Sequence, residues 1–279
     1  MCRWMAYSGS PVLMEELLFK PQHSLIDQSM ASHSRETPTN GDGFGIGWYG
    51  YRGQAGLYRS IRPAWNDFNL RDLAAQIETP LFMAHVRATS QATVQETNCH
   101  PFRYRNWLLV HNGEIFEVEK VRRDLLLGIA PELFTNILGT TDSEIMFYLA
   151  ITFGLETDPL GALARMAGFI EDTGRAHGIP EILWMTVAVS DGQSLFGVRY
   201  ASDGDAPTLY HSREMEDIFA INPNLQQVLG RSTRVLVSEP IGAFQRMWEP
   251  IPQNTAVRIQ EGGIELFPFT PTHVTASAI

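Results

Sequence analysis

Val110-His111-Asn112-Gly113-Glu114-Ile115 reads as a strand, begun at Trp107, that runs into a small polar turn. Amide cleavage by a thiolate passes through a tetrahedral oxyanion, which needs donors fixed where the charge develops. The Asn112 side-chain amide can supply one donor. Gly113, lacking a Cβ, lets its backbone N–H come close to a substrate. Standing alone, an Asn-Gly pair between two apolar runs is a hairpin turn.

The nucleophile that would give this pair a catalytic meaning stands at the other end of the sequence, at Cys2. Methionine is commonly trimmed when the next residue is small, and loss of Met1 would leave a thiol and a free α-amine on one residue. The α-amine pKa of about 7.7–8.0 lies close to the thiol's, about 8.5, so the amine can take the thiol proton near neutral pH. Read in isolation, Cys2 is an ordinary small residue. Further groups have to converge on it.

Two segments offer such groups. Leu81-Phe82-Met83-Ala84-His85-Val86-Arg87 reads as a strand ending in an arginine, beside Ala88-Thr89-Ser90. A guanidinium fork matches a carboxylate, although an arginine at a strand end is usually half of a weak surface ion pair. Thr140-Thr141-Asp142-Ser143-Glu144 places Asp142 where it could meet an α-ammonium group. The same residues fit a helix-opening box, with Thr141 as cap, Glu144 as its partner and Asp142 in the first turn.

Other patterns are set aside. Gly45-Ile46-Gly47-Trp48-Tyr49-Gly50 matches a dinucleotide fingerprint, but Tyr51-Arg52-Gly53-Gln54-Ala55-Gly56 reads as strand and turn where a helix should open. His85, Cys99, His100 and His111 lack the spacings of zinc ligands and read as hydrogen-bonded groups near strand ends; no metal and no cofactor are expected.

With 279 residues, 44% of them hydrophobic, the chain can bury a full core, and it reads as one domain over 1–279 with a C-terminal arm over 268–279. A formal charge of −10 without Lys/Arg clusters argues against nucleic acid. No apolar run approaches the ~18 residues of a membrane span, and two cysteines cannot build a disulfide framework, so a cytoplasmic protein is expected. Helices are expected over Asn69–Glu78, in pieces between Glu117 and Phe153 with breaks near Gly128 and Pro131, and from Asp158 towards Gly174. Hairpins are expected around Asp191-Gly192 and Gly262-Gly263. Helices in blocks beside antiparallel strands define an α+β class.

Cys2, Asn40-Gly41-Asp42-Gly43-Phe44-Gly45-Ile46-Gly47-Trp48-Tyr49, Ala84-His85-Val86-Arg87, Asn98-Cys99-His100-Pro101-Phe102, Val110–Ile115 and Thr141-Asp142-Ser143-Glu144 occur in the order seen in class II glutamine amidotransferases. The chain resembles their stand-alone branch, which includes the γ-glutamyl hydrolase of ergothioneine biosynthesis; Val237-Ser238-Glu239-Pro240 adds to the likeness. The resemblance implies an N-terminal-nucleophile fold, two stacked antiparallel sheets between helical layers. It also implies Cys2 as nucleophile with its α-amine as base, Asn112 and Gly113 as oxyanion hole, Arg87 on the α-carboxylate and Asp142 on the α-ammonium of a glutaminyl group. Two departures stand out. The family's threonine three positions after the arginine is replaced in Arg87-Ala88-Thr89-Ser90, so Ser90 is expected to supply that hydroxyl, or Thr89 to shift. The usual Arg-Gly-x-Asp is replaced by Asn40-Gly41-Asp42-Gly43.

The expected activity is cleavage of the γ-amide of glutamine, or of a γ-glutamyl compound, through a γ-glutamyl thioester. No second catalytic domain is expected, so ammonia would pass to a separate synthetase subunit, or the leaving amine is larger. The alternatives are a hydrolase of a γ-glutamyl thiol-amino-acid conjugate and a non-catalytic glutamine-binding regulatory subunit. The sequence permits a homo-oligomer and leaves the acceptor and pathway open.

Overall fold

The computed structural model describes residues 2–30, 39–50, 53–88 and 93–273. Its strands, in chain order, are β1 (Arg3–Leu13), β2 (Phe44–Tyr49), β3 (Ala55–Ser60), β4 (Glu78–Val86), β5 (Phe102–Tyr104), β6 (Trp107–Ile115), β7 (Leu183–Ser190), β8 (Ser194–Ala201), β9 (Tyr210–Ser212), β10 (Arg234–Val237), β11 (Trp248–Pro250), β12 (Thr255–Gln260) and β13 (Gly263–Pro268). They form two antiparallel sheets, β11-β9-β10-β1-β4-β2-β3 and β13-β12-β8-β7-β6-β5. The helices are α1 (Glu15–Leu18), α2 (Leu25–Met30), α3 (Phe68–Ala74), α4 (Val118–Leu127), α5 (Asp142–Thr152), α6 (Pro159–Ala176) and α7 (Met215–Ile221).

Side-chain alternation along the strands generates the layers. On β1, Trp4 and Ala6 join Leu81, Met83, Leu108 and Val110 in a core between the sheets. Met5 and Tyr7, on the other face of β1, pack with Phe82 and Ala84 against residues of α1, α2, α3 and α7. Leu109, Met185 and Val187 of the second sheet pack against α4, α5 and α6. The result is the expected αββα sandwich. Helix α5 is buried nearly all round, from Ser143 to Ile151, as its uninterrupted apolar run requires.

Several local expectations are met with small shifts. Asp67 caps α3 by accepting from the Leu70 N–H, and Asp158 caps α6 by accepting from that of Gly161. The β12–β13 turn falls on Glu261-Gly262, both at positive φ, one residue before the predicted pair. The glycine-rich run is strand β2; a Cβ on Gly45 would lie 2.2 Å from the His100 carbonyl oxygen, so close approach to a neighbouring segment accounts for that glycine.

One expectation needs correction. Asn112-Gly113 is not a turn: both residues lie inside β6, facing Thr186 and Met185 of β7, so the strand runs on to Ile115. The arm after Pro268 is held over 269–273, where the Phe269 N–H donates to the Asn254 carbonyl (2.8 Å) and the Thr272 N–H to the Ala164 carbonyl of α6 (2.9 Å). Residues 274–279 lie outside the described residues. Among the described residues no helix is long and apolar enough to cross a membrane.

Candidate active site

The alternation of β1, carried back one residue from Arg3, turns Cys2 towards the second sheet, on the side of Trp4. Arg3 pairs with Val86 of β4, so continuing that antiparallel register brings Cys2 level with Arg87. The Cys2 Sγ lies 3.5 Å from the Ala88 carbonyl oxygen. Arg87 is buried, and its backbone is stitched to the glycine-rich segment: its N–H donates to Gly43 (2.8 Å) and its carbonyl accepts from Asp42 (3.1 Å).

From the other sheet, β6 delivers Gly113. Its φ is +153°, and a Cβ there would sit 2.1 Å from the Trp184 carbonyl oxygen, so no other residue fits this point of the strand. Helix α5 opens beside it. Thr141 caps the helix by accepting from the Glu144 N–H (3.2 Å), while Asp142 Oδ2 accepts from the Ile115 N–H (2.9 Å) and Oδ1 from the Ser143 N–H (2.7 Å). Glu144 does not close the predicted box. Its two oxygens accept from the N–H groups of Leu138 (3.0 Å) and Gly139 (2.7 Å), fixing the loop before the helix.

Cys2, Arg87, Gly113 and Asp142 thus line one open cleft of about 420 Å³, with Glu119 and Arg122 also on its wall. Asn112 is not on that wall. It is buried, it faces the inter-sheet side with Val110, and its Oδ1 has no partner among the described residues. Ser90 and Met1 lie outside the described residues. Both cysteines are free thiols, so no Cys2–Cys99 bridge disarms Cys2.

Burial dominates the electrostatics. It pushes the Cys2 thiol up, more than the nearby Arg87 guanidinium brings it down, so the resting group is a thiol that needs a base. Burial, followed by the Asp142 charge, raises Glu114. Three histidines lie beside the cleft. Burial pulls His85 down to about 3 and lowers His100 and His111 as well, so all three are neutral near pH 7. The His85 and His100 rings lie 4.1 Å apart, tilted by 34°, and His111 Nδ1 lies 2.8 Å from Ser143 Oγ. These groups hold no metal cluster: among the described residues no three His, Cys, Asp or Glu side chains gather as ligands.

Several contributors were not singled out from the sequence. Asn98 clamps the two loops of the cleft: its Nδ2 donates to the Thr93 carbonyl (2.8 Å) and to Thr140 Oγ1 (3.0 Å), and its Oδ1 accepts from the Thr140 N–H (2.7 Å). Buried Arg3 and Asn40 and half-buried Glu239 form a network behind Cys2. Asn40, Asn98 and Glu239 fall in the motif segments that carry the family resemblance, and Arg3 follows the nucleophile candidate directly.

Known proteins share this sequence and architecture. The sequence profile described as glutamine amidotransferases class-II matches residues 20–203. A probable glutamine amidotransferase, DUG3, of Saccharomyces cerevisiae is 32% identical over 96% of this chain and 84% of its own length. A γ-glutamyl-hercynylcysteine sulfoxide hydrolase of Mycolicibacterium smegmatis is 30% identical over 63% of this chain and 73% of its own. The solved structure of a glutamine aminotransferase class-II domain protein from Silicibacter pomeroyi superposes with a TM-score of 0.74 at 33% identity, covering 97% of this chain and all of that one. With more than half of its length matched and its sandwich fold shared, the chain belongs to the class II glutamine amidotransferases and is an enzyme of their amidohydrolase type.

Proposed function

We propose that Cys2, freed of Met1, is the nucleophile in cleavage of a γ-glutamyl amide. The thiol adds to the γ-carbonyl carbon as its proton passes to the α-amine. The resulting oxyanion accepts a hydrogen bond from the Gly113 N–H; the Asn112 side-chain amide, which does not line the cleft but lies on the inter-sheet side that Cys2 also faces, is assigned the second donor role. Collapse of the tetrahedral adduct breaks the C–N bond, and the leaving nitrogen departs with the proton held by the amine. Water then adds to the γ-glutamyl thioester, with the amine again as base, and glutamate leaves. Arg87 holds the α-carboxylate and Asp142 the α-ammonium; Ser90 is assigned the neighbouring hydroxyl. One observation carries the reading: a cysteine at the start of one sheet, an arginine just past the end of the adjacent strand, a glycine of the second sheet and a helix-opening aspartate share one cleft.

Glutamine is the simplest substrate. A γ-glutamyl conjugate with a larger leaving amine is favoured by the name of the mycobacterial relative, a γ-glutamyl-hercynylcysteine sulfoxide hydrolase. We read the chain as one domain acting in the cytoplasm, alone, as a homo-oligomer or with a synthetase subunit that receives ammonia. The test compares Met1-free wild type with Cys2→Ala on glutamine and on γ-glutamyl peptides, measuring glutamate. Release by wild type alone is the expected result, together with a mass gain at Cys2 after a glutamine-like electrophile. Equal release by both proteins would reject the mechanism, and tight glutamine binding without turnover would favour a regulatory subunit.

A further inference from the structure

Cys2 sits one residue beyond the last paired residue of β1, where a strand end ordinarily frays. A nucleophile at such a place needs an anchor, since catalytic geometry must be held to a fraction of an ångström. Alternation supplies the place for one: if Cys2 faces the cleft, Arg3 faces away from it, into the layer of α2. There the Arg3 guanidinium is 2% exposed, donating from Nη1 to Asn40 Oδ1 (2.6 Å) and from Nη2 to Glu239 Oε1 (2.8 Å). Asn40 is itself fully buried and tied through its N–H to the Ser29 carbonyl of α2 (2.8 Å).

The same stretch that carries Glu239 prolongs the β1–β10 ladder. Past the Met5–Val237 pair, the Ser238 N–H donates to the Trp4 carbonyl (3.0 Å), and the Trp4 N–H donates to Ser238 Oγ (3.0 Å). Glu239 then stands where Arg3 arrives. A slip of one residue in β1 would exchange the faces of Cys2 and Arg3, and would put a guanidinium into the inter-sheet space. Glu239 lies beyond the segment matched to the family profile, which ends at residue 203.

We propose that the Arg3–Glu239 pair, its guanidinium buried and its carboxylate 34% exposed, with Asn40 as second acceptor, positions the Cys2 nucleophile by fixing the register and direction of the first residues of β1. Arg3 and Glu239 are positioning residues, and the proposal rests on the reading of Cys2 as nucleophile. Asn40 sets the specificity of the clamp: a guanidinium reaches its two acceptors from two separate nitrogens of a fixed fork, whereas an ammonium would have to reach both from one nitrogen.

The test uses Met1-free Glu239→Gln and Arg3→Lys, each keeping side-chain bulk, with Glu239→Ala as a third variant. Glutamine hydrolysis is measured beside iodoacetamide labelling of the two cysteines, resolved by peptide mass. A freed N-terminus should lower kcat at least fivefold in Glu239→Gln and tenfold in Arg3→Lys, with KM within twofold of wild type. Labelling of Cys2 should quicken at least threefold while buried Cys99 stays unlabelled. General unfolding would label both cysteines together, and that outcome overturns the proposal, as do kcat and Cys2 labelling within twofold of wild type in Glu239→Gln and Arg3→Lys. If wild type shows no amidohydrolase activity, the function reading fails, while the labelling comparison still reads the clamp.

Discussion

Asp142 Oδ2 accepts the backbone N–H of Ile115 at 2.9 Å, which fastens the first residue of α5 to the last residue of β6. One carboxylate therefore caps the end of the strand that carries Gly113 and presents negative charge in the cleft. Because its second oxygen is also held, by the Ser143 N–H, the charge cannot swing away. Asp142→Asn keeps the size and one acceptor but loses the charge that would attract an α-ammonium. KM for glutamine should rise at least tenfold with kcat changed only a few-fold; steady-state kinetics with an unchanged KM would remove Asp142 from substrate binding.

Gly113→Ala meets two obstacles, a φ of +153° and a Cβ position 2.1 Å from the Trp184 carbonyl oxygen. β6 must shift against β7, moving the proposed oxyanion donor. Losing one such donor typically costs about 10²–10³ in kcat, and a loss on that scale is expected here, with a lower thermal midpoint. A variant that keeps wild-type turnover would show that the Gly113 N–H is not a donor.

The buried histidines tie stability to pH. An unfolded histidine titrates near 6.5, whereas burial, and then the Arg87 guanidinium, hold His85 down to about 3 against the opposing His111 carbonyl. Below pH 6.5 the unfolded chain binds protons that the folded chain refuses, so stability is present above that pH and falls as pH drops towards 3. The slope is about 1.4 kcal/mol per pH unit for each such histidine. Urea midpoints should fall between pH 7.5 and 5.5, less steeply in His85→Gln; a flat profile would mean the three rings are not held neutral.

Asn98→Ala removes the clamp between the loops at Thr93 and Thr140. Losing the Asn98 hydrogen bonds, at about 1 kcal/mol net each, should lower stability and raise KM more than it lowers kcat, since the loop before Asp142 loosens. Denaturant titration beside kinetics checks both. An unchanged KM would confine Asn98 to stability.

Burial raises the Cys2 thiol above its ordinary value of about 8.5. Alkylation of Cys2 in protein that retains Met1, whose base is an amide, should therefore climb with pH and show no plateau below pH 9. A plateau near pH 7 would mean that the thiolate is stabilised by something beyond Arg87.

Much of the site was legible because its residues sit at ends of elements with strong local signals. Arg87 follows an apolar run that can only be a strand, and Asp142 follows a threonine that caps a helix. Asn112-Gly113 misled in one respect: local preference favours a turn, but pairing of Asn112 and Gly113 with Thr186 and Met185, more than seventy residues on, keeps β6 extended. The loop before α5 is a second case, since Glu144 turns to Leu138 and Gly139 where the local box predicts a return to Thr141. Arg3 and Glu239 were invisible as a pair, because nothing local links residues at opposite ends of the sequence.

The sequence by itself determined the chemistry on offer: a thiol at residue 2, a guanidinium, a carboxylate and an Asn-Gly pair, on strands and a helix whose periodicities are written in the chain. Tertiary structure alone decided which of these meet. Convergence depends on strand order and on faces set by long-range register, where one residue of slip would turn Cys2 out of the cleft, and no local preference encodes that register.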